Sequence, residues 1–168
     1  MTGANMEPLP ALLLESFNRN GRVNAALLDL LTPADLSLKD GPEGNGLGEL
    51  LAHMAGFRRG WLVNISPAHA EHLSEIKDDA DLDTLRAAFA AGDAAALAAV
   101  QDAVQEGRAF ADPWNEGAYA SHPAHFLQHT IVHDSHHRGQ IMTLLRQSGR
   151  SREQMDALEE ASWPIWRE

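Results

Sequence analysis

The run His129-Thr130-Ile131-Val132-His133-Asp134-Ser135-His136-His137-Arg138-Gly139-Gln140-Ile141 lies within one helical stretch, which Ser121 caps and which continues to about Gln147 before stopping at Gly149. Six of the nine histidines, His122, His125, His129, His133, His136 and His137, fall in that stretch. Each step of four residues advances about 40° around an α-helix, so His129, His133 and His137 form one slowly drifting column on one face. A helix this long is stabilised mainly by burying an apolar stripe against other elements, which the rest of the chain has to supply.

Three further long helices do so. From Leu9 to Leu31 the residues Leu13, Phe17, Leu27, Leu28 and Leu31 recur at helical spacing, with Pro10 tolerated near the first turn and Gly21 weakening the middle. Thr32-Pro33-Ala34-Asp35 is a cap followed by proline, but Asp40-Gly41-Pro42-Glu43-Gly44-Asn45-Gly46 soon breaks the chain, leaving a loop with one helical turn. The second helix runs from Leu47 to Ile65, with Leu50, Met54, Phe57 and Trp61 in one stripe and Ser66-Pro67 closing it. The third is alanine-rich, spans about Asp83 to Glu106, and has a place for a bend at Gly92-Asp93. Gly107 to Ser121 has no clear period and reads as a loop crossing the bundle, while the tail from Ser151 carries a short helical pattern and then Trp163-Pro164-Ile165-Trp166. No strand alternation of convincing length interrupts this order. The expectation is an all-α, four-helix bundle with a short C-terminal extension, one domain over residues 1–168.

Composition narrows the function. With 44% hydrophobic residues the chain can bury an aliphatic core and is not disordered. Its 13 Lys+Arg against 24 Asp+Glu give a net charge of -11, which repels phosphate backbones and anionic bilayers, so neither nucleic acid nor membrane is an expected partner. The absence of cysteine removes disulfides, thiolate nucleophiles and sulfur-ligated metals. Met1 to Pro10 lacks the basic start and apolar run of a signal peptide, and no stretch approaches the roughly 18 apolar residues of a membrane span, so a soluble, cytoplasmic protein is expected.

What chemistry remains belongs to histidine and carboxylate. His133 and His137 have the i, i+4 spacing that lets two imidazoles converge on one metal ion, and His53 is the histidine well inside another long amphipathic helix that can face them. The same spacing also describes a solvated pair. His129 can ligate, support a ligand through a hydrogen bond, or line a pocket; His69 and His72, past Pro67, read as solvated, as do His122 and His125 at the helix start. His133-Asp134-Ser135-His136-His137 is also close to the His-Glu-x-x-His pattern of zinc proteases, with Asp134 in the place of the general base and Glu159 or Glu160 as downstream ligands. Asp is a methylene shorter than Glu, and no strand is available to bind an extended peptide.

The string Leu47-Gly48-Glu49-Leu50-Leu51-Ala52-His53 followed by Trp61, together with His-x3-His-Arg-Gly-Gln from His133 to Gln140, resembles the DinB/YfiT-like family of bacterial metalloenzymes. The resemblance spans most of the chain in helix order and loop placement. It implies a bundle of up-down-down-up type, with a divalent metal held at one end by His53, His133 and His137 and water completing its shell. It also implies a homodimer, a small-molecule substrate and, by likeness to S-transferases and isomerases of that family, use of a low-molecular-weight thiol.

Three neutral imidazoles leave an ion its full charge and an open position, the arrangement of a catalytic site; such an ion lowers the pKa of bound water to about 7 or deprotonates a thiol. Zinc or nickel suits the three nitrogens, with iron or manganese as alternatives. Around the ligands, Arg138 is expected to pair with a carboxylate on a neighbouring helix, Gly139 to permit close helix packing, Gln140 to match the family string, and Asp134 to form a salt bridge or accept a proton. Trp114 and Tyr119, in the crossing loop, are the aromatics expected to border the pocket, and no catalytic residue is assigned. The reading from another class is a non-catalytic metal-binding stress-response protein, in which the ion is stored or stabilises the bundle.

Overall fold

The structure, a computed structural model, describes residues 9–110, 119 and 122–168. Among these the order is α1 (Leu9–Asp29), a 3-10 turn (Pro33–Ser37), α2 (Leu47–Ile65), the single-turn α3 (Pro67–Ala70), α4 (Leu82–Gln105), α5 (His125–Gln147), α6 (Arg152–Ser162) and a closing 3-10 turn (Trp163–Arg167). The described residues hold no named strand, only an isolated bridge between Lys39 and Gly46. The expected bundle is what forms, from α1, α2, α4 and α5, with α6 as the C-terminal extension against α1.

Local chemistry sets the helix ends. The Asp81 carboxylate accepts from the Thr84 amide at 2.7 Å and starts α4. At α6 the Ser151 hydroxyl accepts from the Gln154 amide, and the Gln154 side chain accepts in return from the Ser151 amide at 2.9 Å. Glu49 reaches back to the Gly46 amide at 3.0 Å where α2 begins. The Ser121 cap and the loop residues 111–118 and 120 lie outside the described residues. α5 ends at Gln147, and Gly149, at φ +90°, turns the chain in the left-handed region that glycine enters without strain.

Gly21 does not break α1, which is helical straight through it. A Cβ there would stand 2.7 Å from Asp93 Oδ2, so the glycine is where α1 lets the α4 carboxylate approach. Nor does Gly92-Asp93 interrupt α4: Gly92 leaves room for the Arg58 side chain, whose Cβ would be 3.1 Å from an added methyl.

The apolar interior is in two clusters. One holds Leu27, Leu28, Leu51, Leu85, Phe89, Ile141 and Leu145; the other holds Phe17, Leu62, Ala96, Val100, Phe126 and Leu127. Along every long helix the switch between clusters falls at a polar residue: Asn20 and Asn24 on α1, Arg58 on α2, Asp93 on α4 and Asp134 on α5. A polar layer thus divides the core, and Arg58 and Asp134 are fully buried within it.

α4 is long and apolar enough to cross a membrane by length and composition, which its larger residues alone do not indicate because alanines supply most of its apolar character. Its buried residues Leu85, Phe89, Ala96, Ala99 and Val100 face the bundle core, and a core helix passes the same composition test.

Candidate metal centre

His53 projects from the second turn of α2, and His133 and His137 from successive turns of α5. The packing of α2 on α5 brings the three imidazoles together. His53 Nε2 and His133 Nε2 are 3.0 Å apart, and the ring centroids are separated by 4.9 Å (His53–His133), 4.8 Å (His53–His137) and 4.5 Å (His133–His137). One nitrogen from each lies within 4.8 Å of the others. Two nitrogens each about 2.0–2.1 Å from one ion stand about 3 Å apart, so the His53–His133 separation fits a shared metal.

The second nitrogen of each α5 ligand has a partner. His137 Nδ1 donates to Gln140 Oε1 at 2.7 Å, one turn onward, which leaves Nε2 as the ligating atom. His133 Nδ1 lies 3.5 Å from Asp134 Oδ1, which places a carboxylate behind the imidazole on the side away from His53. Such outer partners fix the tautomer and ring orientation of a metal-binding histidine. Burial, with the like charge of His133, lowers the pKa of His53; burial also lowers that of His137, against the opposing Gln140 hydrogen bond. Both imidazoles are therefore neutral near pH 7, the form that ligates. An all-imidazole donor set with open positions fits a divalent ion of borderline softness.

Asp134 is the hinge between this cluster and the polar layer. Arg58 donates to it in a bidentate fork, Nη1 to Oδ1 at 2.8 Å and Nη2 to Oδ2 at 2.6 Å, while Asn20 and Asn24 each donate to Oδ2 at 2.7 Å. Arg58 Nε also donates to Asp93 at 2.8 Å, and Nη1 donates to the Met54 carbonyl at 2.8 Å. Burial works against the charged form of Asp134, but the His133 contact and the Arg58 fork together hold its carboxyl well below the usual range. Burial, reinforced by the nearby Asp134 charge, raises Asp93 despite its bond to Arg58. Asp134 forms the salt bridge, then, and is not placed as a proton acceptor. Fully enclosed and bonded to Arg58 and two asparagines, it cannot take a proton from a bound water, which removes the protease reading. Glu159 belongs to a cavity on another face of α5, among Val23, Met142 and Trp163.

Two expectations on the flanking residues are corrected. Among the described residues Arg138 makes no ion pair with a carboxylate; its Nη1 donates to Asn20 Oδ1 at 2.8 Å and Asn24 Oδ1 at 2.6 Å, orienting both amides so that their nitrogens face Asp134. A Cβ on Gly139 would meet nothing within 4 Å, so this glycine serves no close helix packing.

His129, one turn before His133, stands outside the three-histidine cluster. Its Nδ1 is 2.6 Å from the Tyr119 hydroxyl, and Tyr119 is buried against Phe126 and Trp61. Phe57 stacks on His133 with centroids 3.8 Å apart and meets His129 edge-on at 5.1 Å. Tyr119 thus lies beside His129, one turn from the cluster, whereas Trp114 lies outside the described residues. Phe57, a core residue by its place in the apolar stripe, is an aromatic wall of the site; its position four residues after His53 is the sequence signal for that role. His69 is not free in solvent: it bonds Ser66 at 2.8 Å and Asp102 at 3.1 Å, while His72, His122 and His125 are exposed.

A helical bundle with three imidazoles converging from two helices defines a class of helical proteins able to hold a divalent metal ion. The model of the DinB family matches residues 1–168, the whole chain, and this protein belongs to that family. No curated protein and no solved structure matches the chain.

Proposed function

We propose that this DinB-family protein is a metal-dependent enzyme that binds a divalent ion through His53, His133 and His137 and activates a low-molecular-weight thiol or a water for attack on a small electrophile. The observation that carries the reading is the set of three converging imidazoles, without a carboxylate among them, in a partly open site. When bound, a divalent ion in such a set keeps its full charge and supplies Lewis acidity that stabilises a thiolate or hydroxide at neutral pH.

The chain's own residues do the rest. Gln140 and Asp134 hold His137 and His133 in orientation, and the polar layer fixes Asp134. Phe57 excludes water from one side of His133 and, with Trp61 beside His129, offers an apolar wall to the organic part of a substrate. The chain has no cysteine, so a thiol nucleophile must come from a free small molecule. Zinc or nickel is the ion we expect.

The test is transfer of a panel of low-molecular-weight thiols to a model electrophile such as chlorodinitrobenzene, with metal-loaded, chelated and His53→Ala protein. Activity present with metal, and lost in the other two while circular dichroism is unchanged, supports an enzyme. A bundle that unfolds on chelation, with no turnover of any thiol, would favour a structural or storage role for the ion.

A further inference from the structure

The cavity between α1, α5 and α6 has a volume of about 290 Å³, at the lower edge of the roughly 300–1,000 Å³ usual for small-molecule sites. Met142, Trp163 and Trp166 form much of its apolar wall. Arg138, Met142 and Arg146 follow one another at four-residue steps along α5, roughly on the opposite side of that helix from His133 and His137.

Its charges are unusual for this chain. Arg138 is partly buried, and its bonds go to two neutral amide oxygens, those of Asn20 and Asn24. Arg146 lines the same cavity and, like Arg138, is in no ion pair among the described residues. Glu159 is the one carboxylate in the lining and is bonded to neither arginine. Two guanidiniums against one carboxylate leave an excess of one positive charge, in a protein whose net charge is -11. The Asp134 carboxylate beyond the asparagines acts on Arg138 but is already forked by Arg58, so a ligand carboxylate accepted by the Arg138 guanidinium offsets the cost of taking this cation part-way out of water. Exposed Trp163 and half-buried Trp166 present ring surface that would otherwise stay wet.

We propose that this cavity binds a small organic monocarboxylate with an aromatic or branched aliphatic body, its carboxylate on Arg138 and Arg146 and its apolar part against Trp163 and Trp166. The excess of one charge sets the monoanion, and the tryptophan and methionine walls set the apolar body. Neither the metal nor a turnover enters the proposal.

Phenylacetate is the probe, titrated against the chelated full-length protein with tryptophan fluorescence and calorimetry as readouts, and phenylacetamide is its neutral isostere. Saturable binding of phenylacetate, about tenfold or more tighter than the amide, is expected. Arg138→Gln also breaks the bonds to α1 and can unsettle the fold, so the exposed Arg146 carries the test. Arg146→Glu should weaken binding by about tenfold or more and Arg146→Lys should retain most of it, with helicity unchanged. His53→Ala should bind phenylacetate as the parent does, which separates this site from any carboxylate ligation at a metal. No saturable signal, equal binding of the amide, indifference to Arg146→Glu, or loss of binding in His53→Ala would each overturn the proposal. So would sedimentation showing that a second copy of the chain covers Trp163.

Discussion

Arg58 Nη2 lies 2.6 Å from Asp134 Oδ2, with both side chains shut off from solvent, and Asp134 is next in sequence to His133. The ion pair reaches the three-histidine cluster through Asp134 Oδ1, 3.5 Å from His133 Nδ1, and pins the turn of α5 that carries that histidine. Through Asn20, Asn24 and Arg138 the same layer ties α5 to α1, and through Asp93 it ties α2 to α4. No buried side-chain nitrogen or oxygen among the described residues lacks a partner, so the layer carries the specificity of a fully satisfied network.

Removing one member of a buried pair leaves the other charge uncompensated. Asp134→Asn is therefore expected to destabilise the metal-free protein by about 3–5 kcal/mol. Urea unfolding followed by circular dichroism measures it, and a loss below about 1 kcal/mol would mean that Asp93 alone suffices for Arg58.

The pH dependence has a definite sign. His53, His129 and His137 have folded pKa values held down, first by burial, so their contribution is present above the unfolded value of about 6.5 and is lost as the pH falls through the depressed values. Asp134, also depressed, adds a second loss that begins only below about pH 4. Asp93 is raised and works the other way, gaining as acid protonates it. The Tm of chelated protein is expected to fall between about pH 7.5 and 5.5. A Tm that is flat or rising over that range would contradict the burial of the imidazoles.

Gln140 holds His137 by a single hydrogen bond at 2.7 Å, and its side chain is otherwise exposed. Gln140→Ala should weaken metal binding by about 10–100-fold with little change in helicity. Competition with a chromophoric chelator gives the affinity, and an unchanged value would show that His137 needs no such support.

Glycine-to-alanine changes inside helices usually gain about 0.5–1 kcal/mol through helix propensity. Gly60 on α2 has nothing within 4 Å of an added methyl and should show that gain. Gly21→Ala should instead destabilise, because its methyl would displace the Asp93 carboxylate that bonds Arg58. Thermal unfolding of the two variants side by side checks the contrast.

The bundle is legible because α2 and α4 repeat leucine, methionine and alanine at helical spacing, and α2 begins and ends where Gly46 and Ser66-Pro67 mark it. The histidine cluster is legible from the four-residue step between His133 and His137 and from one further histidine on a core-adjacent helix. The polar layer is not. Arg58, Asp93 and Asn20 stand at the helical spacing of Met54, Phe89 and Phe17 but are polar by type, and their partners on other helices lie 35 to 118 positions away. Only the packing of four helices at one level reveals that the charges cancel there. Arg138 escapes a sequence reading for the same reason: its partners are amides, which carry no charge pattern to find.

The central claim is that His53, His133 and His137 hold one divalent ion, and metal content measures it most directly. Untagged protein incubated with zinc, nickel or manganese and then desalted should carry about one equivalent by mass spectrometry. Each of His53→Ala, His133→Ala and His137→Ala should lose it while keeping the helicity of the parent. A parent that stays empty with all three ions, or single variants that retain a full equivalent, would contradict the claim and leave the imidazole cluster as a packing feature.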